Sequence, residues 1–182
     1  TIVGPRSGSM PEPLDDSLLE QFVALAGADP SGPVRLTLAS SLQRLPLEQR
    51  ARLGRALASR SEDAGDHNLP AMVWWGVSPL VESDPMAVVS IVEACRWPDT
   101  IRWAARALTG LIEENPKPLG ELLAVAAREG APLREAVLTG MSEAVRGWRK
   151  APAPPGWDSF AGAPFVTENE RVGALVRDLG VV

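Results

Sequence analysis

The chain has 182 residues, 45% of them hydrophobic, which suffices for a substantial core in one domain or in a run of small repeating units. Its 18 basic and 23 acidic groups give a net charge of −5, which disfavours nucleic acid as a partner because phosphate binding needs a field of Lys and Arg. The lone Cys95 excludes an internal disulfide framework or a multi-cysteine metal site, and no run of about 18 apolar residues offers a membrane span.

Residues 1–14, beginning TIVGPRSGSMPEP, read as an extended segment, and the missing initiator Met suggests a cut end inside a longer protein. From there the apolar spacing is helical. Leu18, Leu19, Phe22, Val23 and Ala26 predict a helix over 16–27. Val34, Leu38 and Leu42 predict a second over 33–43, and Leu53, Ala56 and Leu57 a third over 46–59. The polar loop SEDAGDHNLP carries His67, the only histidine, and offers Asp66 or Asn68 as a helix cap. Between Leu69 and Val81 only Ser78 is polar, so this segment is expected to be buried on several sides. Trp74 and Trp75, about 100° apart on a helix, should then pack into the core against different neighbours. Gly76 should permit a close helix approach, and Pro79 should end the helix near Ser78.

Asp84 and Pro85 open the next helix, whose Val88, Ile91, Val92 and Cys95 share one face. Over 99–114 the stripe is Ile101, Ala104, Ala105, Leu108, Leu111 and Ile112, with Arg102 and Arg106 off it. Leu119, Leu122, Leu123 and Ala126 form another stripe, for which Gly130 is the expected left-handed terminal cap. Leu133, Ala136, Val137, Gly140, Met141, Ala144, Val145 and Trp148 continue the pattern. The proline-rich KAPAPPGWDSFAGAP then predicts a linker over 150–166, packed by Trp157 and Phe160. TENE at 167–170 matches a capping box with Thr167 as N-cap, and Val172, Leu175, Val176 and Leu179 follow as the start of a further repeat in 167–182.

No segment sustains a period of two, so the expected fold is all-α. Helices joined by short Pro- or Gly-bearing turns suggest antiparallel pairs over 15–149. Aliphatic–Arg pairs after a proline recur at Val34/Arg35, Ile101/Arg102 and Leu133/Arg134, separated by 67 and 32 residues. A spacing near 33 fits a HEAT-like helical-repeat solenoid, with a compact irregular bundle as the alternative.

No catalytic constellation is visible. A nucleophilic triad would have to use His67, and no Ser sits in a glycine elbow; His67 also has no second histidine with which to hold a metal. Cys95, on an apolar stripe, reads as an inert small hydrophobe. No cofactor is expected. The residues singled out as a binding surface are Trp74, Trp103, Trp148, Arg102 and Arg106.

DPSGPVRLTLASSLQRLP (29–46) and DHNLPAMVWWGVSPLV (66–81) resemble the HEAT-repeat region of the PVC-type membrane-bound dehydrogenase-like proteins, with a looser likeness through 82–150. That resemblance implies a helical-repeat domain between a β-propeller similar to sugar dehydrogenases and a cytochrome c-like module, and export from the cytoplasm. The haem-attachment pattern of two cysteines and a histidine is absent here, so redox chemistry would lie outside these residues. Three functions follow: a non-catalytic docking domain contacting neighbouring domains or a protein partner, a small-ligand module with a tryptophan-lined groove, and a HEAT-like DNA glycosylase. The acidic net charge counts against the last.

Overall fold

The computed structural model describes residues 13–180, and every regular element among them is helical, with no strand. Of the extended segment expected over 1–14, residues 1–12 lie outside the described residues; Pro13 and Leu14 are not helical. The helices are α1 (Asp16–Ala28), α2 (Gly32–Ser41), α3 (Leu47–Ala58), α4 (Leu69–Val77), α5 (Leu80–Ser83), α6 (Pro85–Ala94), α7 (Pro98–Thr109), α8 (Lys117–Arg128), α9 (Ala131–Val145), α10 (Trp157–Ala161), α11 (Pro164–Glu168) and α12 (Glu170–Gly180).

Local chemistry sets the starts. Asp15 and Asp84 accept from the backbone N–H of Leu18 and Ala87, capping α1 and α6. Proline occupies the first or second position of α2, α4, α6, α7, α8 and α9, where its missing N–H costs nothing. Asp66 caps α4, its carboxylate accepting from Asn68 and Leu69 N–H at 2.8 Å each.

The helices pack in two rows. In one, α1 touches α3, α3 touches α6, α6 touches α8 and α8 touches α10. In the other, α2 touches α4, α4 touches α7, α7 touches α9 and α9 touches α12. Consecutive helices join the rows, as α1 with α2, α3 with α4, α6 with α7 and α8 with α9. The apolar stripes meet between the rows in one cluster reaching from Ala26 to Val176.

Where α1, α3, α6 and α8 end, successive connections are tied together. Arg60 donates to Gly27 O at 2.6 Å, Arg96 N–H to Ala58 O at 2.9 Å, and the Trp97 indole N–H to Arg60 O at 2.7 Å. Trp97 is fully buried, so this last bond satisfies an indole that has no access to water. The tightest seam joins α7 and α9: a Cβ on Gly140 would lie 2.2 Å from Arg102 O, so only glycine lets the backbones approach this closely.

Three local expectations are corrected. Gly130 is not a left-handed cap; its φ is −75° and it precedes α9, while Arg134 reaches back to the Ala126 and Ala127 carbonyls that the end of α8 leaves open. Thr167 does not cap α12. Its hydroxyl donates to Pro164 O inside α11, and Asn169 accepts from Val172 N–H instead. The 150–166 segment is not all linker, because Trp157 stacks on Phe160 at 6.2 Å and the packed aromatics support the short α10. The three aliphatic–Arg pairs do different work. Arg35 is 4% exposed and bidentate to Asp63 at 2.5 and 2.6 Å, Arg102 forms surface ion pairs with Asp99 and Glu143, and Arg134 covers helix carbonyls and lies over Phe165.

Candidate functional site

The decisive geometry belongs to α4. Leu69, Val73 and Val77 point into the core, and a Cβ on Gly76 would come within 2.6 Å of Leu42, so the 69/73/76/77 face is fully occupied. One residue step is 100°, which turns Trp75 away from that face. Trp75 is 64% exposed, contrary to the core position expected of it, whereas Trp74 is half-buried against the core. The residues one turn away from Trp75, Ala71, Met72, Ser78 and Pro79, include a large apolar side chain, so the sequence does not separate this side from the core face.

Charge is sparse in the segments around Trp75, although the Arg50 guanidinium donates to Gly76 O at 3.2 Å and to Gln43 O at 2.9 Å beside it. Residues 30–43 and 68–81 contain a single ionisable side chain, Arg35, which turns inward to Asp63. The exposed residues of α2, of α4 and of the turn after α4 are Pro33, Thr37, Ser40, Trp75 and Pro79, none of them charged. Depletion of charge around an exposed tryptophan is the composition of an interface core, where Trp, Tyr and Arg supply most of the binding energy.

Of the five residues expected to form a binding surface, four lie on this same row of helices. Thr100 Oγ1 and Pro70 O lie 3.4 Å apart, aligning the starts of α7 and α4, and both Trp74 and Trp103 are half-buried on these adjoining helices. Arg102 is held between Asp99 at 2.9 Å and Glu143 at 3.0 Å, and Arg106 is exposed on the same helix. Trp148 is 37% exposed and follows the end of α9, its N–H donating to Val145 O.

A second feature lies at the other end of the rows. The ends of α7, α9 and α12, with the strap 151–154 and Trp157, enclose an open cavity of about 250 Å³. The polar side-chain groups in its lining are the Thr109 hydroxyl and the indole N–H of Trp157.

Groups able to do nucleophilic or metal chemistry are scattered. His67 is exposed in its loop, and no cluster of three or more His, Cys, Asp or Glu side chains able to hold a metal occurs among the described residues. Cys95 is buried, and burial pushes its thiol up to about 11, so it carries negligible thiolate near neutral pH. No helix among the described residues is long and apolar enough to cross a membrane. Compared with known proteins, the chain matches no family model, no curated protein and no solved structure.

Proposed function

We propose that the chain is a non-catalytic helical-repeat docking module of HEAT type, which engages a protein surface through the uncharged outer face of α2 and α4. The observation that carries this reading is Trp75, a 64%-exposed indole on a helix whose own exposed residues carry no charge. The repeat character is supported by the packing order, in which each helix meets its sequence neighbour and the next helix of its own row.

The partner is a neighbouring domain of the same polypeptide or a separate protein that offers an uncharged, apolar recess for the indole. Membership of a larger dehydrogenase-like protein, and with it an extracytoplasmic location, rests on the resemblance of residues 29–46 and 66–81. On that reading the redox chemistry belongs to other domains.

The test is site-specific photo-crosslinking in the source cells, with benzophenone-alanine placed at Trp75. One discrete protein adduct is expected, lost on Thr37→Arg or Ser40→Arg, which charge the same face. The same probe at Glu121, exposed on α8 in the other row, should give no such adduct. Equal adducts at both positions, or none at 75, refute the docking face.

A further inference from the structure

We propose that the cavity beneath the proline strap is a binding site for a small, uncharged, mainly apolar molecule, such as a mono- or bicyclic aromatic. This goes beyond the docking reading, since it uses other residues at another end of the fold.

The cavity opens to solvent, and its 250 Å³ lies near the lower end, about 300 Å³, of small-molecule clefts. Here the wall cannot close. Pro152 and Pro154 have fixed φ, and the strap is anchored on both sides of Gly156. On one side Pro155 rests on α8, where a Cβ on Gly120 would lie 2.9 Å from the proline ring and 3.0 Å from its carbonyl oxygen. On the other, Trp157 N–H donates to Pro154 O at 3.1 Å, while the indole stacks on Phe160. The opposite wall is Ile112, in the turn after α7, with Met141 and Val145 of α9 and Leu179 of α12, the first three of them buried.

The lining also selects the ligand. It contains no charged side chain, so an ionic group entering would lose hydration without a partner. Thr109 donates its hydroxyl proton to Ala105 O at 2.7 Å, which leaves that oxygen as an acceptor, and the Trp157 indole N–H is the side-chain donor in the lining. The matching polar handle is one group that both donates and accepts, such as a hydroxyl, on an apolar body. Tight apolar walls with one or two placed polar groups are the usual build of small-molecule sites.

The experiment is a titration of the full chain with 1-naphthol, followed through the methionine methyl and indole N–H resonances. Saturable shifts below the millimolar range are expected at Met141 and Trp157. The charged isostere 1-naphthoate should bind about tenfold more weakly or worse, and Val145→Phe, which fills the space, should weaken 1-naphthol about tenfold with helicity unchanged. Should Val145→Phe fail to fold, Ala151→Leu on the strap provides the same filling test. Trp75→Arg should leave the titration unaltered, so loss of the docking face and loss of this site are distinguishable. Absence of saturation at Met141 and Trp157, equal binding of naphthoate, or equal shifts at Trp75 and Trp148 would each overturn the proposal.

Discussion

Gly140→Ala puts the α7–α9 seam to a quantitative test. The added methyl would sit 2.2 Å from Arg102 O, 2.9 Å from Ala105 Cβ and 3.0 Å from Arg106 N. Two of these three are backbone atoms inside a hydrogen-bonded helix, so no rotamer change relieves the clash. The helices must part by about 1 Å to restore ordinary contact near 3.5 Å. Overpacking of this kind costs about 1–3 kcal/mol and occasionally more, while alanine returns about 1 kcal/mol of helix propensity. With backbone on the receiving side the upper end applies, leaving a net destabilisation of about 2 kcal/mol. For a chain of this length that is a drop in Tm of roughly 4–8 °C. Urea unfolding followed by far-ultraviolet circular dichroism measures it, and Gly27→Ala is the control. Gly27 lies in α1, and a methyl added there would meet nothing within 4 Å, so this change should gain up to about 1 kcal/mol. If Gly140→Ala stabilises the protein as Gly27→Ala does, the close approach of α7 and α9 is wrong.

Three further outcomes follow from named contacts. Trp97→Ala should cost about 3–5 kcal/mol in denaturant unfolding, whereas Trp75→Ala should cost less than about 1 kcal/mol, because only the first indole is buried. Asp63→Asn should cost about 3 kcal/mol by leaving the buried Arg35 without its counter-charge, and the double replacement Arg35→Met, Asp63→Leu should recover most of that loss in the same assay. Asp66→Ala should cost about 1 kcal/mol at neutral pH as a lost helix cap. The N–H groups of Leu69 and then Asn68 hold the Asp66 carboxyl below its ordinary range, so its stabilisation is present above the unfolded pKa of about 3.9 and disappears as pH falls through the lower folded value. The stability gap between the parent and Asp66→Ala should therefore be constant from pH 7 to 5 and shrink below about pH 3.5; a gap that widens on acidification would contradict the cap.

Helices with a one-sided apolar stripe were readable from spacing alone. Val88, Ile91, Val92 and Cys95 are all buried as the period requires, and Asp84 caps their helix as expected. The errors came where periodicity carries no information. Around α4 almost every residue is apolar, so no stripe distinguishes Trp75 from Val73; the distinction comes from Leu42 pressing on Gly76, a contact across 34 residues of sequence. TENE satisfies the capping-box pattern, but Asn169 two residues later competes successfully for the same role. Gly130 satisfies the terminal-glycine pattern, but Arg134 from the next helix supplies the donors to the open carbonyls, and no left-handed turn is needed. The cavity was illegible for a related reason. Proline content announces a break in helix, yet whether the strap lies on α8 depends on Gly120, a residue on another element.

The bonds that tie the connections together have a polarity with consequences for synthesis and truncation. At the edge where α1, α3, α6 and α8 end, each donor comes from the later segment and each backbone acceptor from the earlier: Arg60 to Gly27, Arg96 to Ala58, Trp97 to Arg60, and on the adjoining row Thr100 to Pro70. Carbonyl oxygens tolerate under-satisfaction better than buried N–H groups do. A chain shortened from its C-terminus therefore exposes spare acceptors at this edge, whereas one shortened from its N-terminus strands donors, the buried Trp97 indole among them. During synthesis the bonds of this edge form in the tolerant order, the segments from Arg60 and from Arg96 to Thr100 arriving with donors for acceptors that are already in place.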